Sequence, residues 1–139
     1  MQDRPNVLEL LAAVRGFLEE EMVPALEGRR RFLALVSANV LAIVVRELES
    51  EEAGLLAEWT SLVGLLGEDA THPPARLTAL RAAVANSTRV LAERIRTGAL
   101  DHGPIGEAVR RHVEATVRAK LEVANPRYLA GAAVLGSSP

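Results

Sequence analysis

The sequence has no cysteine and very few aromatic residues. Without cysteine, disulfide bonds, thiolate metal ligands and cysteine nucleophiles are excluded from any account of the 139-residue chain. Aromatic side chains make up only 3% of the residues, so a core has to be built from Leu, Val, Ile and Ala. That composition is typical of helical bundles. The abundant hydrophobic residues, 49% of the chain, are compatible with one domain that has a real core.

A hydrophobic run of transmembrane length is also missing. The longest apolar stretch covers residues 32–45 and is interrupted only by Ser37 and Asn39. As a helix it would be about 21 Å long, whereas a membrane span needs about 20 consecutive apolar residues. The opening MQDRPN lacks the basic-then-apolar pattern of a secretory signal. We therefore expect a cytoplasmic protein without membrane contact.

Charge is distributed unevenly along the chain. Residues 1–70 carry 13 acidic and 6 basic side chains, whereas residues 71–139 carry 5 acidic and 10 basic ones. Either the acidic and basic helices complement each other, within a bundle or across a homodimer, or the basic half faces an anionic ligand or partner. Nucleic acid is not an expected partner, because the sequence pI is about 5.9 and aromatic residues are scarce.

Hydrophobic periodicity predicts an all-α fold. Apolar residues recur at three- and four-residue steps, and no segment alternates convincingly at period two, so we expect no sheet. We predict a single five-helix, mostly up-and-down bundle over residues 1–128, followed by a C-terminal tail over 129–139. The apolar stretch 32–45 should be its central helix, surrounded by the others. The predicted helices cover residues 6–24, 25–48, 51–66, 75–97 and 105–124, with Asn6 as the first cap and Gly67 and Gly98 as C-terminal stops. Residues 49–52 form an acidic link, in which Ser50 is the predicted N-cap of the third helix and Glu51 and Glu52 lie in its first turn.

Two of these helices carry polar residues on or beside an apolar face. Asn39 and Arg46 share a stripe of the second predicted helix with Phe32, Val36 and Ile43, so we expect Asn39 to be buried. On the fifth, His112, Thr116 and Lys120 run beside a predicted core stripe of Val109, Val113, Val117 and Leu121.

These polar residues have two interpretations. In the first, Asn39 is a hydrogen-bonded core residue, Arg46 reaches the surface, and the flanking residues have buried stems and wet tips. In the second, Asn39, Arg46, His112 and Lys120 line a polar pocket between the second and fifth helices and bind a small anionic ligand. Both remain open at the level of sequence.

Catalytic and metal-binding signatures are absent from the sequence. None of the three histidines follows a glutamate by three residues, which removes the di-iron bundle pattern. His72, His102 and His112 lie on separate predicted elements without zinc-ligand spacing. P-loop, Gly-x-Gly-x-x-Gly and Gly-x-Ser-x-Gly motifs are missing. We therefore predict no metal, no cofactor and no catalytic residue, and we favour a non-enzymatic function.

Four short motifs carry a family resemblance. In order they are MQDRP, SANVLAIVVREL, IRTGALD and KLEVANPRYL, and together they extend over nearly the whole chain. Their order and spacing resemble those of a bacterial family of uncharacterised short helical proteins. The polar positions that this resemblance marks are Asn39, Arg46, Glu47, Arg94, Asp101, Lys120, Asn125, Arg127 and Tyr128.

The resemblance also implies a functional context. Genes of that family resemble neighbours of acyl-CoA dehydrogenases and of aminoglycoside-phosphotransferase-like kinases. This implies a non-catalytic accessory or interaction protein that acts with an enzyme of one of these classes, in acyl-CoA metabolism for the first class, with a homodimer as one expected assembly. The alternative is a binder of a small anionic ligand, or an enzyme, using the pocket described above.

Overall fold

The computed structural model describes residues 4–69 and 72–135. Within these ranges every regular element is a helix, so the predicted all-α fold is confirmed. Three parts of the predictions lie outside the described residues: the start of the MQDRP motif, positions 70 and 71 of the predicted loop, and the end of the tail at 136–139. None of the described helices is long and apolar enough to cross a membrane.

Five helices follow one another along the described chain. The first, α1, consists of an α-helical segment, a π-helical turn and a final α-helical turn. A long helix α2 follows, and it is continuous over 39 residues. The bounds are Val7–Gly16, Phe17–Met22 and Val23–Ala25 for α1, Gly28–Leu66 for α2, Leu77–Arg96 for α3, Gly103–Ala124 for α4 and Pro126–Leu135 for α5.

Local sequence explains how α1 begins and why it widens near its end. Asn6 caps the helix. Its side-chain oxygen accepts a hydrogen bond from the Glu9 backbone N–H at 3.0 Å, and the Glu9 carboxylate accepts one from the Asn6 backbone N–H at 2.7 Å. Near the other end, Pro24 lacks an N–H and its ring would clash with the carbonyl four residues earlier. The chain forms a π-turn before it, in which the Val23 amide donates to the Leu18 carbonyl.

The chain divides into two compact units, Met1–Ser50 and Glu51–Pro139. In the N-terminal unit, α1 and the start of α2 are joined by only two residues, which is a typical connection for a helical hairpin. Its buried residues are small on the α2 side: Ala34, Ala38 and Ala42 follow one another at four-residue steps. Small side chains at this spacing leave a shallow helix face that another helix can approach closely.

The C-terminal unit contains a continuous hydrophobic core. Leu62 is completely buried at its centre, and the core draws on the end of α2, on α3 and on α4. Burying a leucine or valine side chain contributes about 1.5–3 kcal/mol, so these contacts dominate the stability of the unit. The buried members are Trp59, Leu62, Leu66, Leu80, Val84, Leu91 and Val109.

Glycine ends two helices as predicted. Gly67 follows α2 with φ of 67°, and Gly98 follows α3 with φ of 74°. Both values lie in the left-handed region that side chains disfavour. After each, a backbone amide reaches back to an unsatisfied carbonyl, from Glu68 to Val63 at 3.1 Å and from Ala99 to Arg94 at 3.1 Å.

The predicted break at residues 49–52 is wrong, because α2 runs through it. Glutamate is a good helix former, so an acidic segment does not by itself interrupt a helix. Ser50 does not cap a new helix; its hydroxyl donates to the Arg46 carbonyl, 2.7 Å away and four residues earlier. Glu51 is held by Arg81 of α3. Beyond α4, the helix α5 crosses residue 128, and the predicted domain boundary there stays a prediction.

Two predicted buried faces are also wrong. The large side chains of residues 32–45 are not enclosed: Phe32 is 62% exposed, and Val36, Val40 and Asn39 are exposed as well. The alanines of the same segment are its buried face. On α4, Val113 and Val117 are exposed although Val109 is buried. The helix is turned so that His112, rather than Val113, faces the interior.

Candidate functional site

The N-terminal unit carries an extensive exposed apolar surface. Among the residues that the structure describes, eleven large hydrophobic side chains of this unit are exposed. We call them the apolar face. Exposed apolar side chains in this number are typical of a surface that associates with a protein or another apolar surface. The members are Val7, Leu10, Val14 and Phe17 on α1 and Phe32, Leu33, Leu35, Val36, Val40, Val44 and Leu48 on α2.

The apolar face has a helical period on α1. Val7, Leu10, Val14 and Phe17 recur at steps of three, four and three residues, so they form one stripe along the helix. In the sequence these four residues belong to one apolar face of the first predicted helix. It is exposed in the structure, with Val14 at 52%, and it is therefore available to another protein surface.

A polar pair, with His112 buried and Ser61 half-buried, connects α2 and α4 within the C-terminal unit. Nδ1 of His112 and Oγ of Ser61 share a hydrogen bond of 2.8 Å. His112 is buried, and burial lowers the pKa of its ring; the nearby Glu58 carboxylate raises that pKa and the Lys120 ammonium group lowers it. The ring is therefore biased towards its neutral form, in which Nδ1 can accept a hydrogen bond from the Ser61 hydroxyl.

The surroundings of His112 favour a structural role for its hydrogen bond. Its serine partner lies inside helix α2, between the buried Trp59 and Leu62. A helix-interior serine has its own backbone amide engaged in the helix, so that amide cannot serve as an oxyanion donor. The His112–Ser61 pair therefore fits a structural role, and Glu58 and Lys120 adjust its electrostatics.

The four residues of the predicted ligand pocket fall in different environments. Asn39 is exposed and Arg46 half-buried, both in the N-terminal unit. His112 is buried and Lys120 exposed, both on α4 of the C-terminal unit. The expected burial of Asn39 is wrong, whereas a pocket formed by the four residues stays a prediction.

The remaining positions marked by the resemblance include two with a clear structural contact. Arg94 donates from Nη1 to the Leu66 carbonyl at 3.3 Å, at the C-terminal end of α2. Asp101 lies in the turn between α3 and α4, where its amide donates to the Gly98 carbonyl at 3.4 Å. Glu47 is exposed on α2.

The other three marked positions lie where α4 gives way to α5. The Asn125 backbone N–H donates to the Leu121 carbonyl at 2.8 Å, and the Asn125 backbone carbonyl accepts from the Tyr128 N–H at 3.0 Å. Asn125 is therefore the joint between the two helices. Arg127 and Tyr128 are exposed on the first turn of α5.

An open groove of about 600 Å³ lies beside α4. Val113, Val117 and Leu121 line it together with Leu129 of α5. None of the residues predicted for ligand binding contributes to it. Val113 and Val117 line the groove because they face outward from α4, whereas the sequence predicted them to face the core.

Sequence reasoning missed three features of the C-terminal unit. Ser61 gave no signal, because its partner is 51 residues away. The bidentate pair of Glu51 with Arg81 spans 30 residues and was hidden in a segment predicted as a link. Gly106 gave no signal either, although it packs tightly against the preceding loop.

Metal-binding geometry is absent from the described part of the chain. No group of three or more His, Asp or Glu side chains there could hold a metal ion.

Comparison with known protein families gives a match over most of the chain. The family described as "Domain of unknown function (DUF6285)" matches residues 24–128. The matched segment contains all of the candidate residues from Asn39 to Tyr128. Comparison with curated proteins and with solved structures gives no match.

Proposed function

Since the chain belongs to the DUF6285 family, whose description states no activity, we propose from its own structure that it is a non-catalytic accessory protein that binds another protein. The observation that carries this proposal is the exposed apolar face of the N-terminal unit. Leaving a leucine or valine exposed forgoes about 1.5–3 kcal/mol of burial per side chain, and association with a partner recovers part of it.

The enzyme classes implied by the family resemblance belong to this proposal. They are an acyl-CoA dehydrogenase and an aminoglycoside-phosphotransferase-like kinase. A helical accessory protein of this kind would bind such an enzyme through an apolar helix face bordered by charged residues. The cytoplasmic location predicted from the sequence belongs to the same proposal and is tested by cell fractionation.

Co-purification from the native host tests the proposal with a matched pair of variants. Val14 of the apolar face and Val117 of α4 are both helical valines, exposed by 52% and 50%. We expect the tagged wild-type chain to enrich an enzyme of one of the two classes over an untagged control. Val14→Arg should abolish that enrichment, and Val117→Arg should preserve it. Circular dichroism melts confirm that both variants fold.

Two outcomes would contradict the proposal. In the first, neither enzyme class is enriched by the wild-type chain. In the second, an enzyme is enriched equally by all three proteins, which would place its binding surface outside the apolar face.

A second candidate function is binding of a small anionic ligand near Lys120. The observation in its favour is that Lys120 is exposed on α4, the helix that also carries His112 and Thr116 at steps of four residues. Isothermal titration with inorganic phosphate and with coenzyme A tests it. We expect binding that is lost in Lys120→Gln and retained in Arg127→Gln, an exposed cation on α5. Heats equal to buffer dilution would remove this candidate.

A further inference from the structure

One stripe of α2 has a charge and size pattern that complements itself. Arg29 and Glu47 are exposed on this helix, 18 residues apart, which corresponds to about 27 Å along the axis. Between them four apolar residues continue the same stripe at alternating steps of four and three. We call the six residues the α2 stripe: Arg29, Leu33, Val36, Val40, Ile43 and Glu47.

The α2 stripe faces away from the interior of its own unit. Successive helical positions are separated by about 100° around the axis, which places the stripe opposite the buried alanine face. Ala34 and Ala38 are buried, whereas Val36 and Val40 between and beyond them are exposed. Ile43 is half-buried. The rest of the stripe is therefore a second packing face of the helix, which the folded unit leaves uncovered.

Two copies of the α2 stripe fit together when they run antiparallel. The two-fold axis passes the stripe at the height of residue 38 along the helix. It places residue i of one copy opposite residue 76 − i of the other. Leu33 then faces Ile43, and Val36 faces Val40. At both ends Arg29 of one copy faces Glu47 of the second copy, so every pair is apolar with apolar or basic with acidic.

A parallel arrangement of the same stripe gives the opposite electrostatic result. Arg29 would then face Arg29, and Glu47 would face Glu47, and like charges at this distance repel. The stripe therefore selects one orientation, and an isologous two-fold interface is the commonest way in which identical chains associate. Alternating steps of three and four residues are also the pattern that packs helices side by side.

We propose that the α2 stripe is covered by a second copy of the chain, antiparallel, with Arg29 of each copy paired to Glu47 of the other. This rests on the proposed function in that it takes the apolar face as a protein-binding surface. It commits Leu33, Val36 and Val40 of that face to self-association. The stripe of α1 is not needed for these pairings.

The first measurement is the molar mass of the full chain by light scattering and sedimentation over a concentration series. We expect a dimer. Val40→Arg, in the middle of the stripe, should give a monomer, and Val117→Arg, whose side chain is equally exposed at 50%, should remain a dimer. A monomeric wild-type chain at all concentrations would overturn the inference.

Charge reversal tests the orientation. Arg29→Glu alone places two acidic pairs at the interface of its homodimer, and Glu47→Arg alone places two basic pairs there. We expect each to weaken dimerisation about ten-fold or more. An equimolar mixture of the two variants should recover the wild-type dissociation constant, because every pair between the two different chains then joins an acidic with a basic side chain. The double variant should recover it as well.

Other results would overturn the inference in identifiable ways. A dimer whose dissociation constant is unchanged in both single variants, Arg29→Glu and Glu47→Arg, uses another surface. A monomer that binds vesicles of phosphatidylcholine and phosphatidylglycerol, and loses that binding in Val40→Arg, uses the stripe on a lipid surface. A monomer that still enriches an enzyme through Val14 overturns only the self-association. A dimer that enriches no enzyme leaves the self-association standing and contradicts the accessory function.

Discussion

His112 of α4 and Ser61 of α2 share a hydrogen bond of 2.8 Å inside the C-terminal unit. The two residues are separated by 51 positions in the sequence, so the bond joins helices that the chain connects only through α3. Among the described residues no buried side-chain nitrogen or oxygen lacks a hydrogen-bond partner. The pair therefore brings a polar ring into the interior without leaving an unsatisfied group there.

This buried ring predicts a loss of stability in mild acid. Burial, the first cause, and the Lys120 charge lower the pKa of His112 in the folded state below its ordinary value of 6.5. The unfolded chain therefore takes up a proton at a higher pH than the folded chain. The contribution of the neutral His112 ring to stability is fully present above about pH 6.5. It falls as the pH drops from there through the folded-state pKa.

The measurement is urea unfolding of the wild type and of His112→Gln between pH 5 and pH 8. Glutamine keeps a hydrogen-bonding group but does not titrate in this range, so the variant should lack most of the decline. His72 and His102 are present in both proteins and cancel in the comparison. Parallel declines in the two proteins would show that His112 is not the group responsible.

The Glu51–Arg81 pair predicts a different pH dependence. Arg81 donates to both carboxylate oxygens of Glu51, with 2.6 Å between Nη2 and Oε2. This hydrogen bonding lowers the pKa of Glu51 below its ordinary value of 4.5. The pair therefore contributes stability above that value, and the contribution is lost as the pH falls through the folded-state pKa.

Glu51→Gln should be less stable than the wild type at neutral pH, and the difference should shrink in acid. Glu49→Gln is the control, because Glu49 is an exposed glutamate on the same helix. Thermal melts between pH 3 and pH 7 measure both. A Glu51→Gln variant as stable as Glu49→Gln at neutral pH would mean that the ion pair adds nothing to folding.

Gly106 predicts a steric effect in the first turns of α4. A Cβ atom there would lie 2.9 Å from the Leu100 carbonyl oxygen and 3.1 Å from the Asp101 carbonyl. Both contacts are backbone, which cannot move aside as the end of a side chain can. Gly106→Ala should therefore destabilise the protein by about 1–3 kcal/mol, in the range of other overpacking substitutions.

Gly64→Ala is the matched control for that substitution. Gly64 lies in the interior of α2, and a Cβ there meets nothing within 4 Å. Alanine at an open helical position should stabilise by about 0.5–1 kcal/mol. The two variants should thus shift the urea midpoint in opposite directions, and a gain in both would remove the close approach at Gly106.

Local signals in the sequence were enough to place most helix ends. Asn6 is the N-terminal cap as predicted, and Gly67 and Gly98 end α2 and α3, because each of these features depends on residues within one turn. The prediction of a link at 49–52 was wrong because it used the same local signals, which do not decide the structure there. Glutamate and serine are compatible with both a link and a helix, and the contact that holds Glu51 comes from α3.

The direction in which a helix faces depended on partners that the sequence does not identify. On α4, Val109, Val113 and Val117 form one stripe and His112 and Thr116 the next, only one position away. Periodicity shows both stripes and leaves the choice to packing. In residues 32–45 apolar side chains surround the helix, so the pattern predicted burial on all sides, whereas only the alanines are buried within the chain. The apolar face was therefore identified from the exposure of its side chains in the structure, which the hydrophobic pattern of a sequence does not predict.

Arg94 offers a final prediction, because it is a position marked by the family resemblance and has a structural contact. Its guanidinium donates to the Leu66 carbonyl at the C-terminal end of α2, where a positive charge also favours the helix dipole. Arg94→Gln should lower the free energy of unfolding by about 1 kcal/mol. Arg96→Gln, two residues on and paired with the exposed Glu93, should lower it by less, since exposed ion pairs contribute little. Equal effects of the two variants would mean that the Leu66 contact is not stabilising. A structural role would then no longer explain why Arg94 is among the positions that the family resemblance marks.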